Sequence, residues 1–103
     1  MNKDYSREIP KDWQLMSKVY ECLGDEQRQR ILLSFEKDEE LSAKDIVEVS
    51  TIKRTTVVFH LKKMEEAGIL SSRKDGKYFY YKINKEVIRN TLNTTLDYIN
   101  NNI

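Results

Sequence analysis

The stretch IKRTTVVFHLKKMEEAGIL (Ile52–Leu70), running straight into SSRKDGKYFYYKI (Ser71–Ile83), decides how this chain folds. In its first part Val57, Leu61 and Met64 recur at steps of four and three, the spacing of a single buried helical stripe. Gly68 then supplies the residue that accepts the left-handed stop at a helix end. The second part holds two β-prone runs, and Asp75-Gly76 between them favours a tight type I′ hairpin turn. Lys53, Arg54, Lys62, Lys63, Arg73, Lys74, Lys77 and Lys82 decorate this unit on surfaces that the core does not need. A helix and a projecting loop can therefore both present positive charge to a polyanion.

The charge of the whole chain conceals this. The formal net charge is +1, yet residues 1–51 hold 8 basic and 12 acidic side chains, residues 52–85 hold 9 and 3, and residues 86–103 hold 1 and 2. The cationic excess is thus concentrated in one third of the sequence, and the local field rather than the overall charge bears on a nucleic-acid partner. With 103 residues the chain reads as one domain, residues 1–103, whose core is marginal without a partner subunit. No apolar run approaches the ~20 residues of a membrane span and no basic-then-apolar leader opens the chain, so the expectation is a soluble, cytoplasmic protein with no membrane contact. Cys22 stands alone, which excludes an internal disulfide and suits a reducing compartment.

Outward from the central stretch, residues 1–9 read as a flexible polar arm. A first helix over residues 10–23 starts near Pro10 and carries Trp13, Met16, Tyr20 and Leu23 on one stripe. Asp25 suits the N-cap of a second helix holding Arg28, Ile31, Leu32 and Phe35. The acidic run Glu36 to Glu40 reads as a solvated turn. Ser42 and Asp45 form a capping-box pattern at the start of a short third helix that holds Ile46 and Val49. After the hairpin, Asn84 is placed to cap a last helix over residues 85–103, in which Ile88, Leu92, Leu96, Ile99 and Ile103 recur at steps of three and four.

Two helices separated by a three- or four-residue turn, the second rich in outward polar groups, make a helix-turn-helix. The expected fold is mostly α with a small β-hairpin, a winged helix-turn-helix of order α-α-α-α-β-β-α. With Val57 pointing inward and about 100° per residue, Thr55, Phe59 and Lys62 point within about 40° of straight outward. Lys53, Arg54 and Thr56 occupy the first turn, where Arg suits guanine, Thr a thymine methyl or phosphate, and Lys the backbone. Lys44, Lys53, Arg54, Thr55, Thr56, Phe59, Lys62, Lys63, Arg73, Lys74 and Lys77 are the expected contacts to double-stranded DNA.

The segments LGDEQRQRILLSF (Leu23–Phe35), ELSAKDIVEVSTIKRTTVVFHLKKMEEAGIL (Glu40–Leu70) and RKDGKYFYYKIN (Arg73–Asn84) resemble the ArsR family of bacterial and archaeal winged-helix repressors. His60-Leu61, Glu66-Ala67-Gly68-Ile69 and the Gly76 wing followed by Tyr80-Tyr81 carry the likeness, which spans roughly 60% of the chain. The resemblance implies a homodimeric repressor that sits on an imperfect palindrome and leaves DNA when an effector binds. Many such proteins sense metals, but the family's helix-3 thiol pair falls here on Ser42 and Lys44. The last helix offers only Glu86 and Asp97, without His or Cys. Metal ions of that kind need several soft or imidazole ligands converging, so neither a metal site nor another cofactor is expected, and the effector is left open.

Several residues admit a plain reading beside a sharper one. His60, about 60° from the inward direction, reads as a packed, hydrogen-bonded histidine rather than a ligand or pH switch. Cys22 reads as a small apolar filler, with a thiol-responsive repressor as the alternative. Alternation puts Phe79, Tyr81 and Ile83 on a core-facing strand face and Tyr78 and Tyr80 on the other. Phe59, with Val58 beside it, is unusual on a solvent face and could touch thymine methyls or dock on another protein, the second functional alternative. One small domain cannot shield both terminal stripes, so Trp13, Met16, Tyr20, Ile88, Leu92, Leu96 and Ile99 are expected to form a homodimer seam. No nucleophile-base constellation, phosphate-cradling glycine loop or paired carboxylates in a predictable cleft point to an enzyme.

Overall fold

A computed structural model describes residues 8–103, and the expected arm lies, up to residue 7, outside the described residues. The elements run α1 (Lys11–Leu23), α2 (Glu26–Leu33), β1 (Glu40–Ser42), α3 (Ala43–Ser50), α4 (Arg54–Glu66), β2 (Leu70–Asp75), β3 (Tyr78–Ile83) and α5 (Lys85–Asn102). The helix order and the hairpin are those expected. An unforeseen third strand is added by the end of the acidic run: Glu40, Leu41 and Ser42 pair antiparallel with Lys82, Tyr81 and Tyr80, giving the sheet order β1-β3-β2.

The core gathers where α4 meets α2, α3 and the base of the hairpin. Ile31, Ile46, Val57, Leu61, Met64, Ile69 and Leu70 are fully buried, with Val19 and Cys22 closing the cluster from α1. On α3 only Ile46 is buried, whereas Val49 is exposed. Likewise α1 buries Met16, Val19 and Cys22, a stripe turned from the expected one, and Tyr20 instead lies on the α5 side with its hydroxyl 2.5 Å from Thr95 Oγ1. Trp13 packs edge-on against Tyr98, with ring centroids 5.3 Å apart. Leu92, Leu96, Ile99 and Ile103 of α5 are exposed in the single protomer, while Ile88 packs partly on the core.

Local chemistry sets the joints. Asp25 accepts from Arg28 N at 3.1 Å, as its N-cap position demands. At α3 the capping box is complete: Asp45 N donates to Ser42 Oγ (3.1 Å) and Ser42 N donates to Asp45 Oδ2 (2.9 Å). Asn84 occupies the N-cap of α5, but its side chain makes no capping hydrogen bond. Gly68 ends α4 with φ +82, where a Cβ would be strained. In the hairpin Asp75 pairs with Tyr78, so Gly76 and Lys77 are the two turn residues. Gly76 has φ +62 and Lys77 does not share a positive φ, the pattern of a type II′ turn rather than the expected type I′ centred on Asp75-Gly76.

His60 joins α4 to α2. Arg28 Nε donates to its Nδ1 at 3.1 Å, which leaves Nε2 to donate to Gln27 Oε1 at 2.9 Å, so the ring is neutral and satisfied on both nitrogens. Burial, then the neighbouring Arg28 guanidinium, hold its pKa below 6.5, with Asp25 opposing weakly.

Two predictions follow from these joints. Ser42→Ala removes the acceptor for Asp45 N and should lower stability by about 1 kcal/mol, read as a lower thermal midpoint by circular dichroism. An unchanged midpoint would show that the box adds nothing to α3. For His60, the unfolded chain takes up a proton near pH 6.5 that the folded chain refuses. Stability should therefore be full above about pH 7 and fall as pH drops through 6.5 toward the depressed folded pKa. Urea midpoints for the wild type and His60→Gln between pH 7.5 and 5 test this, the variant showing the shallower slope.

Candidate nucleic-acid interface

The buried stripe of α4 determines what the rest of that helix presents. With Val57, Leu61 and Met64 held inward, Arg54, Thr55, Val58, Phe59 and Lys62 are exposed on the opposite side and Thr56 is half-buried. Lys53 is the N-cap and contributes no side-chain hydrogen bond to the helix, so the first backbone N–H groups of α4 have no side-chain acceptor there. Such a terminus favours an anion. The turn before it is tight: Thr51 takes a left-handed conformation (φ +61) and Ile52 is buried.

The tertiary fold brings three of the expected cations to one place. An open groove of about 470 Å³ runs between α4 and the hairpin, lined by Lys44 from the first turn of α3, Arg54 and Val58 from α4, and Lys77, Tyr78 and Phe79 from the wing. Lys74 stands on the same face of the wing, its Nζ 5.9 Å from the Phe79 ring centroid. Thr55 and Lys62 lie exposed on α4.

Two expected contacts turn elsewhere. Arg73 lies on the outer face of the sheet over Tyr80, and its Nε is 2.6 Å from Glu40 Oε2, with Asp75 Oδ2 3.6 Å from Nη1. The Glu40 carboxylate, then Asp75, raise the guanidinium pKa further and neutralise the charge locally. Glu40 therefore is not part of a solvated turn; it is a strand residue that occupies an arginine of the wing. Lys63 lines a separate hollow with Lys18, Glu21, Cys22, Arg28 and Glu66, on the α1–α2 side of α4. Its ammonium stands 5.9 Å from the centroid of Phe59, whose ring also packs edge-on to His60.

Phe79 departs from its expected core position. It is on the inner face as alternation requires, but it sits one pair beyond the turn pair Asp75–Tyr78, where the hairpin has outrun the helices, and it is 49% exposed. Tyr81 and Ile83, nearer the base, do pack on the core. The signal in the sequence was the short distance from Gly76, which marks the projecting end of the strand.

The remaining chemistry is sparse. Cys22 is buried with its Sγ 3.7 Å from Lys63 O, and burial pushes its thiol pKa up. Ser42 Oγ is engaged in the capping box, Lys44 is a cation, and Glu86 on α5 pairs with Arg89 at 2.8 Å. Among the described residues no three of His, Cys, Asp and Glu gather in a way that could hold a metal ion. No helix of the described residues is long and apolar enough to cross a membrane.

Comparison with known proteins agrees with this geometry. A helix-turn-helix domain family matches residues 23–73. The transcriptional repressor SdpR of Bacillus subtilis is 29% identical over 82% of this chain and 93% of its own. The HTH-type transcriptional regulator YuzN of the same organism is 30% identical over 72% of this chain and 87% of its own. The homodimeric winged helix-turn-helix DNA-binding domain Mb0332 from Mycobacterium bovis, a possible ArsR-family transcriptional regulator, superposes with a TM-score of 0.68. That match covers 100% of this chain and 94% of the other at 19% identity. On its sequence relatives, its helix order and its wing, the chain belongs to the ArsR family of winged helix-turn-helix transcriptional regulators.

Proposed function

We propose that the protein is a sequence-specific repressor that acts in the cytoplasm as a homodimer on an imperfect palindrome, without catalytic activity. Each subunit lays α4 in the major groove and sets its wing on the neighbouring backbone or minor groove. The observation that carries this reading is the groove where Lys44, Arg54 and Lys77, from three different elements, face the same open space beside the exposed side of α4. The repressor part is supported by the likeness to SdpR.

A dimer seam along α1 and α5 is supported by the exposed stripe Leu92, Leu96 and Ile99, each about half exposed in the protomer, and by the homodimeric state of Mb0332. Trp13 and Ile88 flank that stripe and Tyr20 borders it, whereas Met16 is already buried within its own subunit and would add little to a seam. The effector is taken not to be a metal ion, since Ser42, Lys44, Glu86 and Asp97 do not supply a converging set of soft or imidazole donors. The burial of Cys22 favours its role as an apolar filler over a thiol switch.

A second reading keeps the fold but gives Val58 and Phe59, 50% and 53% exposed, to a protein partner. Selection of genomic fragments by the purified full chain at two salt concentrations separates the two. The repressor reading expects enrichment of two half-sites about 10 bp apart, or a multiple, and log affinity falling by roughly 0.9 per neutralised phosphate with log salt. Absence of any salt-sensitive retention of DNA would overturn it in favour of protein docking. For the seam, Leu96→Asp should shift the sedimenting species from twice the chain mass to one and weaken operator binding. A variant that still sediments at the wild-type mass would remove α5 from the interface.

A further inference from the structure

The groove between α4 and the wing restricts what can lie in it. Its cations, Lys44, Arg54 and Lys77, enter no ion pair among the described residues, and no carboxylate lines it. In contrast, the hollow at Lys63 carries Glu21 and Glu66, and the one at Arg73 carries Glu40. Two apolar side chains stand among these cations: Val58, one turn after Arg54 on the wing-facing side of α4, and Phe79 on the wing, each about half exposed. Three unpaired cations lining one groove beside apolar side chains match one sugar-phosphate strand together with the methyl-bearing edge of a base attached to it.

We propose that this groove takes one strand of the duplex, that Arg54 acts with Lys44 and Lys77 as a phosphate clamp, and that Val58 meets the C5-methyl of a thymine on the clamped strand. This rests on the DNA-binding reading above and replaces the guanine-reading role that position alone gave Arg54. Cations brought to one groove from three elements suit a phosphate, which takes the Arg54 fork and the Lys44 and Lys77 ammoniums from several sides, better than the flat edge of a single base. When a helix occupies the major groove and its wing crosses toward the adjacent minor groove, one strand passes between them. A side chain on the wing-facing side of the helix then meets the major-groove edges of bases on that strand, where only thymine projects a methyl group. Phe79, across the groove, covers the sugar of the same strand.

The test uses the full chain and a 30-bp duplex recovered by the fragment selection, with binding followed by fluorescence anisotropy. Thymines are replaced one at a time by deoxyuridine, which removes the methyl group and nothing else. One position per half-site should lose about fourfold in affinity, the value of one buried methyl-sized group. Val58→Ala should lose a similar factor on the thymine duplex and be indifferent to uracil at that position, whereas Val58→Thr, which keeps a methyl at the same place, should retain part of the preference. Arg54→Ala should weaken all duplexes alike and reduce the salt slope by about one phosphate, with the preferred bases unchanged. A duplex with no methyl-sensitive thymine, a Val58→Ala protein that keeps the uracil penalty, or an Arg54→Ala protein with altered base preference overturns the inference. Each of those results leaves salt-sensitive DNA binding intact, whereas a chain that binds no duplex at either salt concentration defeats the repressor reading itself.

Discussion

Burial of the inner stripe of α4 is the constraint on which the rest depends. Val57, Leu61 and Met64 are fully buried against Ile31 of α2, Ile46 of α3 and Ile69 and Leu70 at the base of the hairpin. Each such side chain contributes about 2 kcal/mol relative to exposure. A helix held so firmly on one side has no freedom to rotate, so the 3.6-residue period assigns Arg54, Thr55, Val58, Phe59 and Lys62 to solvent. The same burial ties α4 to α2 through His60, whose neutral ring is hydrogen bonded on both nitrogens. An exposed helix face built this way is held in place because its back is part of the core.

Electrostatic pairing then sorts the cations into two groups. Arg73, Lys85 and Arg89 are engaged by Glu40, Asp38 and Glu86, so their charges are largely balanced close at hand. Lys44, Arg54 and Lys77 have no such partners among the described residues. These exposed pairs add little to stability. Their effect is on the field: they balance charge on the outer sheet face and at the start of α5, while among the described residues Lys44, Arg54 and Lys77 around the groove stay uncompensated, as do Lys53 and Lys62 on the exposed side of α4. The acidic first half of the chain and the basic middle are thus parts of one arrangement, in which the acidic run supplies Asp38 and Glu40 to neutralise positions away from the groove.

The outer helices show how one element can serve two surfaces. Tyr20 and Trp13 hold α1 to α5 through Thr95 and Tyr98, and Val87 and Ile88 lean on the core. Leu92, Leu96 and Ile99 of α5 are left about half exposed within the protomer. An 18-residue helix with that sidedness supports the proposed seam, because exposed apolar stripes of this length are costly for an isolated small domain.

What could be read from the chain alone was whatever depends on neighbours a few residues apart. The helical period of Val57, Leu61 and Met64, the reciprocal cap of Ser42 and Asp45, the stop at Gly68 and the hairpin around Gly76 all arise within one element or one turn, and local sterics and hydrogen bonding determine them. The features that only the tertiary structure decided join residues of different elements. Glu40 becomes a strand residue because Lys82 lies opposite it, Arg73 on the outer sheet face is neutralised because Glu40 meets it there, and Phe79 leaves the core because the wing outreaches the helices. Lys44, Arg54 and Lys77 share a groove for the same reason. Periodicity specifies which way a side chain points along its own element; which partner, if any, waits there depends on the packing of one element against another.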